Sequence, residues 1–358
     1  MQAHGCEHSK TVISELEQLE YQSEDIMLNM LGEIKVFAAN ANTQMADAIV
    51  KHLGLELGKS VAQRFEDGEC DIRINETVRG KDIFIVQSTA PSATMSVNDH
   101  LMELLVMIDA MRRSSAGRIT AVMPYFGYAR QDRRDRSHAP ISAKLVADML
   151  TGAGADRVLT MDLHSPQVQG FFNIPFDHLT GVHTFVNYYK AKGYDVTKDY
   201  VVVSPDFGSV SRCNIFAEAL DIPLAITEKR RDPATGKPHI ANFIGDVRGK
   251  NVILLDDVLS SGNSLKEAAK KLKEEGAEAI YACVTHPLLS KNAVETIASS
   301  DITEVIVLDT IEVPVEKRHP KIVRLSVSKL FSDAIDGIHH SKSIGGFSRK
   351  SVGVLLRD

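Results

Sequence analysis

Continuous apolar runs, separated by longer stretches with helical periodicity, dominate the chain from residue 33 onward. Strands that are buried on both faces are rich in Val, Ile and Leu along their whole length, whereas half-exposed strands alternate. Eight runs have the buried character and are predicted to be strands: 34–39, 83–88, 119–124, 157–162, 200–205, 251–256, 279–286 and 304–309. This pattern predicts parallel β-sheets.

Between the strands, apolar residues recur every three or four positions, as they do along the buried face of a helix. Two such stripes are clear: Leu101, Leu104, Leu105 and Ile108 in the first half, and Leu265, Ala268, Ala269 and Leu272 in the second. The second helix is predicted to stop at Glu275-Gly276, because glycine commonly follows the last helical turn.

Alternating strands and helices in this number predict an α/β protein with two mainly parallel sheets, each flanked by helices. The 358 residues exceed one typical domain, and the second half repeats the architecture of the first. We predict an N-terminal extension (1–33), two α/β domains (34–180 and 181–338) and a C-terminal tail (339–358). The extension is acidic and polar, which is compatible with either a docking helix or a floppy tail.

The overall charge and the apolar runs exclude several classes of partner. The formal net charge is −6 and the pI is about 6.1, which argues against nucleic acid as the main partner. No apolar run approaches a membrane span, and the first 33 residues do not resemble a secretory signal. The four cysteines have no paired spacing, as is typical of reduced thiols. We therefore expect a cytoplasmic protein with no membrane partner, whose basic clusters bind something small.

Polar side chains follow four of the predicted strands, at the positions where parallel α/β sheets bind their ligands. These residues are Asp162 and His164, Ser204 and Asp206, Asp256 and Asp257, and Thr285 and His286. Because the carboxyl ends of parallel strands share one edge of a sheet, these positions are the first candidates for chemistry.

The strongest local signal is the stretch 256–264, which reads DDVLSSGNS before a predicted helix. Free backbone N–H groups and the helix dipole favour an anion such as phosphate at a helix start, and the serine hydroxyls add donors. Asp256 and Asp257 are then suited to accept hydrogen bonds from sugar hydroxyls or to meet a metal. The alternative interpretation is a serine cap with two acids in an ordinary strand–helix turn.

Three further charged stretches have both a functional and an ordinary interpretation. The arginines of 128–136 suit a polyphosphate, because guanidinium groups bind phosphate bidentately, although such a run is usually a self-paired surface. The stretch EKRR (228–231) opens a Gly- and Pro-containing segment (232–239) that is predicted to be a mobile loop, and a basic mobile loop beside a phosphate site is suited to act as a lid. The stretch FEDGE (65–69) combines an aromatic ring with spaced acids, which suits a base and a ribose.

Together and in this order, these stretches resemble the ribose-phosphate pyrophosphokinases, also called phosphoribosyl pyrophosphate synthetases. The resemblance covers roughly residues 34–340. It rests on the blocks FEDGE, NDHLMELLVMIDA, RITAVMPYFGYARQDR, PISAKLVADML, TMDLHSPQVQGFF, SPDFG, EKRR and DDVLSSGNS.

The resemblance implies two tandem type I phosphoribosyltransferase-like domains, the first on the ATP side and the second on the ribose 5-phosphate side. It implies transfer of a diphosphoryl group from Mg-ATP to the C1 hydroxyl of ribose 5-phosphate, with release of AMP, for nucleotide biosynthesis. It also implies Mg2+ as the cofactor and a homo-oligomer in which dimers assemble into a hexamer.

The resemblance further assigns roles by matching position. ATP-binding residues are Phe65, Asp67, Gly68, Glu69, Arg130, Gln131, Asp135 and His164, and the metal ligands are His164 and Asp206. Ribose 5-phosphate would be bound by Asp206, Asp256, Asp257, Ser260, Ser261, Gly262, Asn263 and Ser264. Lys229 and Arg231 match the catalytic basic pair, and Arg79, Arg133, Arg134, Arg136 and Ser343 are candidates for an allosteric phosphate site.

Two regions depart from the family pattern. In the sugar-phosphate loop, Ser260 replaces an acid and Asn263 replaces a glycine; asparagine tolerates a left-handed backbone better than most residues, so the turn is expected to survive. The C-terminal region reads Ser343-Ile-Gly345-Gly346-Phe347 where relatives end in a Ser-Val-Ser-x-Leu-Phe-like allosteric segment.

Two alternatives to an active synthetase follow from these observations. A catalytically weak regulatory subunit that associates with active relatives would explain the altered loop and tail, but it would not need the retained Lys229, Arg231 and His164. A salvage phosphoribosyltransferase shares the Asp-Asp loop, but it does not account for FEDGE or the YARQDR cluster.

Overall fold

The computed structural model describes residues 31–193, 199–231, 238–346 and 354–356. Most of the predicted N-terminal extension and the end of the C-terminal tail lie outside these residues. In the described part the chain forms fifteen strands and eight α-helices, arranged as two large sheets with a small hairpin.

The first half contains seven strands and three helices. In chain order they are β1 (Gly32–Ala38), α1 (Thr43–Leu53), β2 (Ser60–Arg64), β3 (Cys70–Ile74), β4 (Lys81–Val86), α2 (Val97–Arg113), β5 (Arg118–Met123), α3 (Ser142–Ala153), β6 (Arg157–Met161) and β7 (Phe176–Leu179). Strands β1-β4-β5-β6-β7 form a parallel five-stranded sheet in that order. Strands β2 and β3 form a separate antiparallel hairpin.

The second half contains eight strands and five helices. They are α4 (Val182–Ala191), β8 (Tyr200–Ser204), α5 (Val210–Leu220), β9 (Leu224–Arg231), β10 (Pro238–Ile244), β11 (Asn251–Leu259), α6 (Asn263–Glu274), β12 (Ile280–Pro287), α7 (Ala293–Ala298), β13 (Glu304–Leu308), β14 (Ile322–Ser326), α8 (Ser328–His339) and β15 (Val354–Leu355). The sheet order is β10-β9-β8-β11-β12-β13-β14-β15, with antiparallel pairs only at its two edges among the described strands.

A hydrophobic cluster shared by the two sheets forms the centre of the molecule. Side chains of β1, β4 and β6 meet those of β8, β11 and β13 through the helices α1, α4, α5 and α8. Adjacent strand residues point into different layers, so Val36 joins this central cluster whereas Phe37 packs with α2 and α3. The other face of the second sheet is covered by α6 and α7. Burial on both faces is the physical reason for the continuous apolar runs.

A buried ion pair also joins the two halves. Asp82 is 0% exposed and accepts hydrogen bonds from Arg118 Nε at 2.9 Å and Arg118 Nη2 at 2.5 Å. His339, the last residue of α8, places its Nδ1 2.8 Å from the same carboxylate. Arg118 Nη2 also donates to the carbonyl of Ile338 at 3.2 Å. The end of α8 is thereby fixed to β4 and β5 of the first sheet.

The predicted fold class is confirmed, and all eight predicted strands are present within a few residues of their expected bounds. Both apolar stripes are buried, and the second helix ends at Glu274 with Gly276 in the left-handed region at φ +92°. The basic stretch 228–231 ends β9 and pairs with β10 in antiparallel register, while the loop predicted for the segment that follows lies mostly outside the described residues, at 232–237. The boundary near residue 180 stays a proposal, since β7 and β8 lie in different sheets while the helices share one cluster.

Candidate functional site

The carboxyl ends of β6 and β11 face each other across the two halves of the molecule. His164 follows β6, and its Nδ1 lies 2.7 Å from Oδ2 of Asp257, which lies within β11. Asp206 follows β8 and lines the same cavity, which has a volume of about 540 Å³. Three of the residues predicted from the strand ends are therefore brought together, although each comes from a different strand.

Asp162 holds the two strand ends in position. This buried residue has φ +36°, a left-handed conformation that aspartate adopts more readily than most residues. Its Oδ2 accepts hydrogen bonds from the Gly181 N–H at 3.0 Å and the Thr285 hydroxyl at 2.7 Å. Nε2 of His286 lies 3.1 Å from its backbone oxygen. Because every one of these partners is buried, the network fixes β6 against β12.

The adjacent carboxylates Asp256 and Asp257 have different electrostatic environments. Burial raises the pKa of Asp256, and the neighbouring charge of Asp257 raises it further. Burial alone would also raise the pKa of Asp257, but the hydrogen bond from His164 and the charge of Arg212 hold it below its ordinary range. The same hydrogen bond raises the pKa of His164. The pair therefore combines one firmly ionised carboxylate with one that is protonated more easily, which suits hydrogen bonding to neutral hydroxyl groups.

The loop after β11 forms an open helix start. Gly262 is the residue before α6 and has φ +77°, and no side chain caps this helix. Asn263 and Ser264 form the exposed first turn, while the hydroxyls of Ser260 and Ser290 lie 2.7 Å apart. Uncapped N–H groups at a helix start bind anions well. The reason given above for Asn263 is wrong, because the left-handed position is Gly262 and Asn263 is helical.

Arg130 and Gln131 line a second cavity of about 490 Å³, together with Tyr125, Tyr128 and Ser290. This cavity therefore borders the loop after β11 through Ser290. Asp135 is exposed and lies beside Arg136 at 3.6 Å, and it lines neither cavity.

The stretch FEDGE forms the tip of the β2–β3 hairpin. Gly68 has φ +95° and donates its N–H to the Phe65 carbonyl at 2.9 Å, which closes the turn. The Phe65 side chain is 54% exposed. None of Phe65, Asp67, Gly68 and Glu69 lines the two cavities. The structure thus does not bring the hairpin tip together with the other predicted residues of the same chain.

The remaining predicted residues are scattered. The side chains of Lys229 and Arg231 lie outside the described part, although their backbone belongs to β9. Arg133 lines the 540 Å³ cavity that His164 also lines. Arg79, Arg134, Arg136 and Ser343 are exposed and line no cavity described here. The allosteric site remains a prediction.

Two residues of the site, Asp132 and Arg212, were not predicted from the sequence, and Asp162 was predicted only as a strand-end residue. Asp132 accepts hydrogen bonds from the Ser165 hydroxyl at 2.5 Å and from Gln167 at 2.8 Å, and so fixes the loop that carries His164. Asp162 organises the strand ends, and Arg212 of α5 lines the cavity. The position of Asp162 at a predicted strand end made it a candidate. Arg212 lies inside a helix, where the sequence carries no signal of a ligand.

In the part of the chain that the structure describes, no helix has the length and apolar character needed to cross a membrane. The same residues contain no cluster of three or more His, Cys, Asp or Glu side chains that could hold a metal by themselves.

Two family models match the chain. Residues 34–154 match the N-terminal domain of ribose phosphate pyrophosphokinase, and residues 230–349 match the phosphoribosyl synthetase-associated domain. Together these matches take in segments of both halves of the molecule.

The similarity to individual relatives extends over almost the whole length of each relative. The ribose-phosphate pyrophosphokinase of Bacillus caldolyticus is 49% identical over 312 residues, which is 87% of this chain and 96% of the relative. That of Clostridium perfringens is 50% identical over 320 residues, 89% of this chain and 99% of the relative. The crystal structure of phosphoribosylpyrophosphate synthetase from Mycobacterium smegmatis superposes with a TM-score of 0.80 at 38% identity, over 87% of this chain and 100% of that one. The chain belongs to the ribose-phosphate pyrophosphokinase family and is an enzyme of that family.

Proposed function

We propose that the protein transfers the diphosphoryl group of Mg-ATP to the C1 hydroxyl of ribose 5-phosphate. The products are phosphoribosyl pyrophosphate and AMP. The observation that carries this proposal is the convergence of His164, Asp206 and Asp257 on one cavity beside the uncapped start of α6. Family membership supports the same reaction, because the relatives are named for it.

The sugar substrate is proposed to lie against the end of β11. Asp256 and Asp257 accept hydrogen bonds from the 2- and 3-hydroxyls. Two adjacent carboxylates are better suited to neutral hydroxyl groups than to a phosphate, because like charges repel. The 5-phosphate is proposed to lie on 260–264, where the exposed first turn of α6 offers N–H groups and the Ser264 hydroxyl.

The nucleotide is proposed to occupy the second cavity, where Arg130 and Gln131 reach its phosphates. Phe65, Asp67 and Glu69 are expected to contact the adenine and ribose, but they do not line this cavity in the same chain. We therefore propose that the hairpin tip reaches the site of a second copy, in a homo-oligomer built from dimers into a hexamer. An exposed aromatic ring at a hairpin tip suits such a contact.

The donor set fits Mg2+ when substrate phosphates complete it. Mg2+ is usually held by one or two protein groups, water and phosphate oxygens, rather than by a cage of side chains. Asp206 supplies a carboxylate, and His164 has one ring nitrogen beside Asp257 and the other left for a ligand. When bound, the metal neutralises charge on the phosphates.

The chemistry needs no nucleophilic side chain. The C1 hydroxyl oxygen attacks the β-phosphorus and gives up its proton to solvent, the bond between that phosphorus and the α,β-bridging oxygen breaks, and AMP leaves with that oxygen. Charge builds on the transferring oxygens, so fixed cations dominate the catalysis. Lys229 and Arg231 at the end of β9 are proposed to supply them.

The runner-up function is a catalytically weak regulatory subunit. It is favoured by Ser260 and Asn263 in the sugar-phosphate loop. In both cases we propose a cytoplasmic protein of nucleotide biosynthesis.

AMP release separates these two functions. The purified protein is incubated with ribose 5-phosphate, ATP, Mg2+ and varied inorganic phosphate, alone and with an active relative. The proposed function predicts AMP from the protein alone, in proportion to its concentration. AMP only in the mixture, at a rate that the added protein modulates, would establish the regulatory function instead.

A further inference from the structure

One half-buried cation in the cavity, Arg212, has no role in the proposed function. Arg212 lies in the first turn of α5, and its side chain lines the 540 Å³ cavity with His164, Asp206 and Asp257. Its Nη1 is buried and has no hydrogen-bond partner. Among the described residues, none accepts a hydrogen bond from this guanidinium group. A buried charged donor without a partner is unusual in a folded protein.

The carboxylates around Arg212 hold it by charge alone. Burial lowers the pKa of Arg212, but Asp162, Asp257 and Asp256 outweigh this effect and raise it. One oxygen of each of two of these carboxylates has another partner: Oδ2 of Asp162 accepts from Gly181 and Thr285, and Oδ2 of Asp257 is engaged by His164. The guanidinium group therefore stays ionised while its donors remain available.

We propose that Arg212 binds anionic oxygens of the diphosphoryl group once that group is carried on C1 of the ribose. This role rests on the function proposed above and adds a residue to it. A guanidinium group matches two phosphate oxygens in one plane, and it does so best where water is excluded. Without this cation and Arg133, the cavity would present mainly Asp162, Asp206 and Asp257 to a highly charged ligand.

Position separates Arg212 from the 5-phosphate. None of residues 260–264 lines the cavity of Arg212, whereas Asp257, the proposed hydroxyl contact, does. A ribose held at Asp257 with its 5-phosphate on α6 directs its C1 end into this cavity. Arg212 is thus expected to distinguish phosphoribosyl pyrophosphate from ribose 5-phosphate.

The test compares two ligands on two variants. Calorimetry measures the binding of Mg-phosphoribosyl pyrophosphate and of ribose 5-phosphate to the wild-type protein and to Arg212→Gln. We expect Arg212→Gln to weaken phosphoribosyl pyrophosphate binding by about 30-fold, the scale of a lost charge-assisted hydrogen bond, and to change ribose 5-phosphate binding by less than about threefold. Arg212→Lys keeps the charge without the planar fork and is expected to lose about fivefold to tenfold.

Arg157→Gln is the matched control. Arg157 begins β6, pairs with Asp177 at 2.6 Å and also has a buried Nε without a partner, but it lines no cavity described here. Arg157→Gln is expected to lower the unfolding temperature and to leave the affinity for phosphoribosyl pyrophosphate unchanged.

Two outcomes overturn the role of Arg212. Unchanged phosphoribosyl pyrophosphate binding by folded Arg212→Gln shows that the arginine only offsets the acids, and equal losses for both ligands show a structural role. In these cases the wild-type protein still binds both ligands and the proposed function stands. If the wild-type protein binds neither ligand, the proposed function and the role of Arg212 are both wrong.

Discussion

A single glycine sets the geometry of the proposed 5-phosphate site. Gly262 has φ +77°, and a Cβ there would meet Ile297 and Thr296 at 3.4 Å. Because L-residues pay about 1–2 kcal/mol in this region, Gly262→Ala is expected to lower the free energy of unfolding by about that amount and to weaken ribose 5-phosphate binding. Gly152→Ala is the control. Gly152 lies within α3, and a Cβ there would meet no atom within 4 Å outside the neighbouring helix backbone, so this change should raise the free energy of unfolding by about 0.5–1 kcal/mol. Denaturant unfolding that places both variants on the same side of the wild type would contradict this.

Lys229 is the residue on which the proposed chemistry depends most. Its charge is needed when the transferring oxygens gain charge, and much less when the substrates bind. Lys229→Ala is therefore expected to retain ATP and ribose 5-phosphate affinity while losing turnover on the order of 10³-fold. Lys266→Ala, an exposed lysine of α6 that bonds Ser299, is the comparison. AMP release by Lys229→Ala at a near-normal rate would remove Lys229 from the mechanism.

At the scale of elements, the start of α8 depends on the protonation of Asp309. Its Oδ1 accepts the N–H of Val327, the residue before α8, at 2.8 Å. Burial raises the pKa of Asp309 to about 6. Since this pKa lies above the ordinary one, the stabilising contribution is complete at low pH and is lost as the pH rises from about 4 through 6.

Removing the charge of Asp309 should therefore raise the free energy of unfolding only at high pH. Asp309→Asn is expected to be more stable than the wild type by about 1–2 kcal/mol at pH 8, with the difference absent at about pH 3, below the ordinary pKa. Thermal unfolding at the two pH values checks this, with the exposed Asp301→Asn as a control. A constant difference between variant and wild type across this range would show that Asp309 does not titrate as described.

The sequence predicted elements better than it predicted how they meet. Buried strands such as 251–256 have a pattern that depends only on their own neighbours, and the helix stop at Gly276 is equally local. The β2–β3 hairpin was missed because its short strands have partly exposed faces and no continuous apolar run. Arg212 was missed because its importance arises from Asp162 and Asp257, which are distant in sequence.

At the scale of the whole molecule, the buried Asp82 links the two halves through Arg118 and His339. Removing one member leaves its partners buried without a counter-charge, so Asp82→Asn is expected to cost about 3–5 kcal/mol. Asp109→Asn is the matched control: it breaks an exposed helical pair with Arg113 and should cost less than about 0.5 kcal/mol. Urea unfolding measures both, and equal small losses would show that the link does not stabilise the molecule.

In the proposed reaction the whole diphosphoryl group moves in one transfer. Phosphorus-31 NMR of the purified protein with ATP, ribose 5-phosphate and Mg2+ follows every phosphorus atom of substrates and products at once. AMP and phosphoribosyl pyrophosphate are expected in equal amounts, with no ADP formed from the transfer. Stoichiometric ADP with a singly phosphorylated C1, or spectra in which neither substrate is consumed, would contradict the proposed reaction.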